Sequence, residues 1–322
     1  MATTGALVTV FGGSGFVGRH VARALAKRGY RVRAAVRRPD LAGFLAPMGV
    51  VGQVTAVQAN VRYPESVARA VAGADVVINL VGIGAEGGKQ TFDAVQAAGA
   101  EAVAKATAEA GISRLIQISA IGAAADSDSA YARTKAAGEA AALAAVPQAV
   151  IVRPSVVFGP EDTFFNRFAS LARFAPALPL IGGGDSKFQP VFVGDVAEFI
   201  ARAVDGKIAG GKAYELGGPD VRSMRELLSY TLSVIGRRRL LVPLPTPLAM
   251  LKAQFLELLP NAPLTVDQVR MLTADNVVSE QAVAEKRTLE GVGVTPAAMD
   301  SVVPAYLWRF RKAGQFETLK AR

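Results

Sequence analysis

Cysteine is absent from the chain and histidine occurs once, at His20. These absences remove disulfides, thiolate zinc sites, iron–sulfur clusters and cysteine nucleophiles, and they leave Ser-His-Asp chemistry short of parts. Redox chemistry therefore requires an organic cofactor. Long apolar runs are missing too. The longest apolar tract, 240–259, is interrupted by Pro243, Pro245, Pro247, Lys252 and Glu257, which excludes a continuous spanning helix of about 20 apolar residues. A membrane would be met peripherally. Zinc-finger spacing, helix-turn-helix patterns and aromatic-basic ribonucleoprotein motifs are lacking, so nucleic acid is not an expected partner. Met1 to Ala6 carries no basic residue and runs directly into Leu7–Phe11, so no presequence is expected and the cytosol is the default location. Finally, no acidic residue precedes Asp40. By then eight cations have passed, Arg19, Arg23, Lys27, Arg28, Arg31, Arg33, Arg37 and Arg38, which places most of the formal net charge of +9 at the start of the chain.

What is present fills a large core. Of 322 residues 51% are hydrophobic, which excludes a disordered chain and supports one large domain or two interleaved ones. Strand-length apolar runs at 7–11, 32–36, 54–58, 76–81, 115–119 and 150–153 alternate with stretches of helical spacing, among them 17–28 and 94–110. Nearly unbroken apolar strands alternating with helices predict an α/β fold, a doubly wound parallel sheet covered on both faces. After Arg153, prolines and the triple glycine Gly182–Gly184 mark loops and short elements. The expected boundaries are a nucleotide-binding domain over 1–153, rejoined by 188–216, and a smaller C-terminal α/β region over 154–187 and 217–322. In that region Ser223 with Glu226 is a capping box opening a helix, and Thr265 with Asp267 and Gln268 starts another.

Gly12-Gly13-Ser14-Gly15-Phe16-Val17-Gly18 follows the first strand and opens the first helix. Glycine permits the tight turn and lets backbone amides approach a pyrophosphate at a helix amino terminus, where the dipole favours negative charge. Strand before and helix after make this a dinucleotide site. An NAD site places a carboxylate on the ribose diol about 20 residues past such a turn. Here the second strand ends Val36-Arg37-Arg38 instead. Two guanidinium groups suit a ribose 2′-phosphate, so NADPH is expected over NADH, with solvated surface arginines as the plain alternative.

Tyr131 and Lys135 stand four residues apart, on one face of a helix, after Ser119 closes the fifth strand. A phenol near pKa ~10 needs about 4 kcal/mol of preferential phenolate stabilisation to act at neutral pH, and a neighbouring ammonium supplies part of it.

Together these residues resemble the extended or atypical short-chain dehydrogenase/reductase family. The resemblance rests on the Gly12-x-x-Gly15-x-x-Gly18 turn, residues 75–82, Ser119, Tyr131 with Lys135, and residues 153–160, with later echoes at 194–197 and 214–219. It implies a Rossmann-type fold in which Tyr131 is the general acid/base, Lys135 holds the nicotinamide ribose and Ser119 orients a carbonyl. It further implies that Pro154, Ser155, Val156 and Val157 flank the nicotinamide, that Leu80, Val81 and Gly82 pass beneath the adenosine ribose and diphosphate, and that Asn60 and Val61 lie near the adenine. Asn60 replaces an aspartate common in the family, and Asn79 replaces a frequent histidine, which leaves the substrate side open.

The segments 151–168 and 264–279 are similar to a branch of that family, the NADPH-carrying accessory subunits of respiratory complex I (NADH:quinone oxidoreductase). This implies a non-catalytic or weakly catalytic chain whose nucleotide is structural. Its partners would be other complex I subunits, and its location the cytoplasmic face of a bacterial inner membrane, held peripherally through the complex. The short distance from Met1 to the first strand favours a bacterial chain. Tyr131 and Lys135 keep a free NADPH-dependent reductase or epimerase open as the alternative; an NADP-binding redox sensor has no need of that pair. Leu248, Leu251 and Phe255 with Leu258 or Leu259 form one helical stripe, which reads as core packing or as docking on a partner subunit or membrane. The aromatic and basic run 306–312 suits an interface or lipid headgroups.

Overall fold

The structure is a computed structural model that describes residues 5–259 and 262–316. Its elements in chain order are β1 (Leu7–Phe11), α1 (Phe16–Lys27), β2 (Arg31–Val36), β3 (Val54–Gln58), α2 (Pro64–Val71), β4 (Val76–Asn79), α3 (Ala98–Glu109), β5 (Leu115–Ile118), α4 (Ala130–Ala145) and β6 (Val150–Pro154). There follow β7 (Val157–Phe158), α5 (Phe165–Phe174), β8 (Ala177–Ile181), β9 (Lys187–Phe188), β10 (Val191–Phe192), α6 (Val193–Val204), β11 (Lys212–Leu216), β12 (Arg222–Ser223), α7 (Met224–Val234), β13 (Leu240–Leu244), α8 (Thr246–Leu256), α9 (Val266–Thr273) and α10 (Glu280–Ala284).

Seven strands form one parallel sheet in the order β11-β6-β5-β4-β1-β2-β3. The order reverses at β1, which pairs with β2 on one side and β4 on the other. Val8 lies opposite Val32 and Val76. Val8, Val10, Val77, Ile78, Leu115 and Ile116 are fully shielded, as both-face burial of a parallel sheet requires. Two polar side chains inside the sheet are satisfied: Thr9 Oγ1 donates to the Ala70 carbonyl at 3.0 Å and Gln117 Nε2 to that of Ile118 at 2.9 Å. Among the described residues no helix is long and apolar enough to cross a membrane.

The chain forms two compact units, one of Met1–Pro154, Gly194–Leu216 and Ser279–Val294, the other of Ser155–Val193, Gly217–Val278 and Thr295–Arg322. The return begins at Gly194 instead of 188 because β9 pairs with β12 and β10 with β7, both inside the second unit. A further return, 279–294, has no counterpart in the sequence reading. It lies along β11: Glu215 Oε2 accepts the Ser279 N–H at 2.8 Å and Glu215 N–H donates to the Arg287 carbonyl at 2.9 Å. That covers a sheet edge which would otherwise expose unpaired backbone.

The second unit gathers Phe158, Phe165, Phe188, Leu178, Leu180 and Leu227 into its own core. Both capping boxes form, Ser223 with Glu226 at α7 and Thr265 with Gln268 at α9. The stripe on α8 departs from the core-packing expectation. Ala249 and Ala253 face inward against Val269, while Leu248, Leu251 and Phe255 face outward.

A buried carboxylate fixes this second core. Asp162 Oδ2 accepts the Tyr306 hydroxyl at 2.6 Å and the Gly159 N–H at 3.2 Å, while Oδ1 accepts the Asn166 N–H at 3.1 Å. Burial pushes both the Asp162 carboxyl and the Tyr306 phenol up from their usual ranges. Tyr306→Phe removes one charge-assisted bond, and unfolding in urea should show a loss of about 1–3 kcal/mol. An unchanged midpoint and slope would show that this bond does not anchor the unit.

Candidate dinucleotide site

The site begins where β1 turns into α1. Gly12 has φ 76°, and its N–H donates to the Ala35 carbonyl at 3.0 Å. A Cβ on Gly18 would fall 2.2 Å from the Gly12 carbonyl oxygen, so only glycine lets the helix close on the turn. Gly13 packs on β2, where a Cβ would meet that of Ala34 at 2.9 Å. α1 starts at Phe16 with Gly15 as its cap, no side-chain capping bond and no acidic residue in its first turn. Its leading amides and positive dipole end therefore suit an anion.

A cavity of about 220 Å³ opens beside this turn. Its wall comes from the carboxyl ends of β1 to β4: Gly12, Ser14 and Gly15 from the turn, Val36 and Arg37 at the end of β2, Asn60 to Arg62 after β3, and Leu80 to Ile83 after β4. Gln90 and Val95 complete it. This is the place where strand order reverses, the general ligand position of open α/β sheets. The wall contains two guanidinium groups and no carboxylate. Arg37 Nη1 donates to Gln90 Oε1, and Arg62 Nη1 donates to the Lys89 carbonyl at 2.7 Å. Arg38, expected beside Arg37, is not in the wall; its Nη2 donates to Asp40 Oδ2 at 2.6 Å, both side chains being exposed. Phe16 and Val17 begin the helix and do not line the cavity either. Arg62 and Gln90 escaped the sequence reading. Arg62 was findable as a cation just past a strand end; Gln90 sits in an aperiodic loop and carried no signal.

Further along the site, α4 is capped by Ser129, whose Oγ accepts the Ala132 N–H at 3.2 Å. This helix brings Tyr131 and Lys135 together, with Lys135 Nζ 5.7 Å from the Tyr131 ring centroid. Lys135 is buried and touches the cavity wall, since a Cβ on Gly82 would lie 3.1 Å from Nζ. Desolvation pulls its pKa down to about 8, against the opposing pull of the Glu139 charge. Tyr131 is half-buried and meets Phe92 edge to face at 5.8 Å. Glu139, one turn below Lys135, is held by Arg153 through bonds of 2.8 and 2.6 Å.

Ser119 supplies the test of fit. Its Oγ is buried without a hydrogen-bond partner, a condition that costs about 1–3 kcal/mol unless a bound molecule relieves it. Together with the glycine cradle, this orphan hydroxyl fits a dinucleotide whose redox end reaches Ser119. Asn79, by contrast, braces the sheet: Nδ2 donates to Gln117 Oε1 at 2.9 Å and Oδ1 accepts the Val81 N–H at 3.1 Å. Asn60 Oδ1 accepts the Arg62 N–H at 3.2 Å. A π-helical turn, Asp93–Ala97, directs Gln96 Nε2 onto the Ile83 carbonyl at 2.7 Å, and such turns recur at functional sites. Pro154 ends β6, whereas Ser155, Val156 and Val157 belong to the second unit, where Ser155 Oγ donates to Asn276 Oδ1 at 2.7 Å. No group of three or more His, Cys, Asp or Glu among the described residues could hold a metal ion. The set of groups can bind a dinucleotide and present a phenol, a hydroxyl and an easily deprotonated ammonium to a carbonyl.

Comparison with known proteins agrees with this geometry. The pattern of the NAD dependent epimerase/dehydratase family matches residues 8–217. The chain is 37% identical to the mitochondrial NADH dehydrogenase [ubiquinone] 1 alpha subcomplex subunit 9 of Arabidopsis thaliana, over 97% of this chain and 79% of that protein. It is 33% identical to a ceramide reductase of Caulobacter vibrioides, over 75% and 74%. Its fold is similar to that of dTDP-glucose 4,6-dehydratase DesIV from Streptomyces venezuelae, solved with NAD bound, at TM-score 0.72 and 20% identity over 98% of this chain and 100% of that one.

The buried ammonium has a consequence for stability. Its folded pKa of about 8 lies below the ordinary 10.5, so between these values the unfolded chain binds the extra proton. Stability of the cofactor-free protein should therefore rise with pH across that window. Lys135→Met should be the more stable protein at neutral pH and should lack that part of the rise. Parallel stability profiles for the two proteins would contradict the assignment.

Proposed function

The chain belongs to the NAD dependent epimerase/dehydratase family and, within it, to the group of NADH dehydrogenase alpha subcomplex subunit 9 proteins, and we propose that it is an NADPH-holding accessory subunit of complex I. In this reading the nucleotide is a lasting structural ligand. The complex carries the chain at the cytoplasmic face of a bacterial inner membrane, where it supports the peripheral arm. The observation that carries the cofactor choice is the carboxylate-free wall with Arg37 and Arg62 in it. A free ribose diol would find no carboxylate there, whereas a 2′-phosphate meets guanidinium donors.

Retention of Ser119, Tyr131 and Lys135 does not require turnover. When bound, the nucleotide supplies hydride chemistry to members of this family. In this chain Lys135 and Tyr131 serve first as ribose-binding groups, and Ser119 gains the partner it otherwise lacks. The second reading, a free NADPH-dependent reductase, has the same three residues and the likeness to a ceramide reductase in its favour. There Tyr131 would hand its proton to a substrate oxygen held by Ser119, with Lys135 restoring the phenol.

Two experiments test the proposal. Calorimetry should show NADPH bound at least about tenfold more tightly than NADH, the value of one charge-assisted bond pair. Arg37→Ala should erase that preference and leave NADH binding unchanged, while Arg38→Ala should do little; equal affinities in the parent chain would contradict the cofactor assignment. Native electrophoresis of gently solubilised membranes should show the chain migrating with NADH:quinone oxidoreductase activity, and Tyr131→Phe should leave that migration intact. A chain found only as a soluble monomer would favour the free reductase.

A further inference from the structure

Both guanidinium groups of the cavity wall are held by one short turn. Beyond β4 the chain folds back over Gly87–Gln90, where the Gly87 N–H donates to the Gln90 carbonyl and the Gln90 N–H to the Gly87 carbonyl, each at 3.0 Å. Gly88, at φ 55°, takes the left-handed conformation that so tight a reversal needs. From this closed turn Gln90 Oε1 accepts from Arg37 Nη1, and the Lys89 carbonyl accepts from Arg62 Nη1 at 2.7 Å. The partners are 53 and 27 residues apart in sequence, so the turn is where two strand ends converge. Arg62 is steadied further by Tyr63, whose ring centroid lies 5.8 Å from the guanidinium carbon.

Both acceptors are neutral. A side-chain amide and a backbone carbonyl hold a guanidinium without cancelling its charge, and each bond uses one of five N–H donors. Arg38 shows the contrast, since the Asp40 carboxylate both bonds and neutralises it. Glu86, the one carboxylate of residues 80–92, accepts the Phe92 N–H at 2.6 Å instead. Arg37 is exposed, and an exposed arginine samples many rotamers that an incoming phosphate would have to order. Gln90, half-buried in the cavity wall, removes that freedom beforehand.

We propose that Gln90 is a specificity-determining positioning residue: its amide holds Arg37 in the wall, still charged, so that the 87–90 turn presents Arg37 and Arg62 together as a preorganised receptor for the ribose 2′-phosphate. The inference rests on the NADPH reading and adds to it a residue that acts through Arg37, on a loop remote from it in sequence.

The test is calorimetric titration of the purified full-length chain and its variants with NADPH and with NADH. Gln90→Ala keeps both backbone bonds of the turn and should lower the NADPH-over-NADH affinity ratio about three- to tenfold, the cost of ordering one long side chain. Gln90→Glu fills the same space but sets a carboxylate against Arg37, so it should lower the ratio at least as far. In an Arg37→Ala chain, adding Gln90→Ala should not change the ratio again. A parent that prefers NADPH, with a Gln90→Ala variant of the same ratio, would overturn this proposal and leave the cofactor reading standing. So would equal losses for the two nucleotides, which mark a structural role, or a gain in NADPH affinity, which would make the amide a competitor of the phosphate. A parent without any preference would overturn the cofactor reading and this inference together.

Discussion

The approach of α1 to the turn after β1 governs the rest of the first unit. With Gly18 against the Gly12 carbonyl, the helix amino terminus is set at the carboxyl end of β1, beside the gap where strand order reverses. A methyl group at Gly18 would fall 2.2 Å from the Gly12 carbonyl oxygen, so the helix could not close on the turn as it does. The other wall segments, after β2, β3 and β4, are then placed by sheet register alone. The anion end of the site is thus built from backbone, and two guanidinium groups, Arg37 and Arg62, line it just beyond the strand ends.

The other end of the site is built from side chains whose burial is costly. Lys135 is desolvated at the cavity wall, and Ser119 has a hydroxyl with nothing to bond. Around them the fold is tightly braced. Asn79 bonds to Gln117 across β4 and β5, and Arg153 bonds to Glu139 while lying 3.7 Å from Glu215, which in turn receives the Ser279 amide. A site whose supports are satisfied and whose contact groups are not is one that a bound molecule stabilises. On the proposed reading, that asymmetry gives Ser119 and Lys135 a use as nucleotide-binding groups.

Much of this was legible in the residues. The six apolar runs became strands of the sheet with ends shifted by no more than two residues, because a strand buried on both faces leaves an unambiguous apolar signature. Both capping boxes and the pairing of Tyr131 with Lys135 also followed from spacing. What escaped depends on contacts distant in sequence. β11 reads Lys212-Ala-Tyr-Glu-Leu216, too mixed to stand out as a core strand, and joins the sheet by pairing with β6 while 279–294 lies along its other edge. Arg38 looked equivalent to Arg37 until Asp40 claimed it. The α8 stripe has a core-like period, and only the two alanines packed on Val269 decide which way it faces.

The central claim is that this chain retains a 2′-phosphorylated dinucleotide as part of its folded structure. It is tested most directly by isolating the chain from its native membranes without added nucleotide, extracting it with denaturant and quantifying what is released. The account predicts close to one NADP(H) per chain, surviving extensive dialysis. An empty chain, or one carrying NAD(H) that exchanges freely, would contradict it.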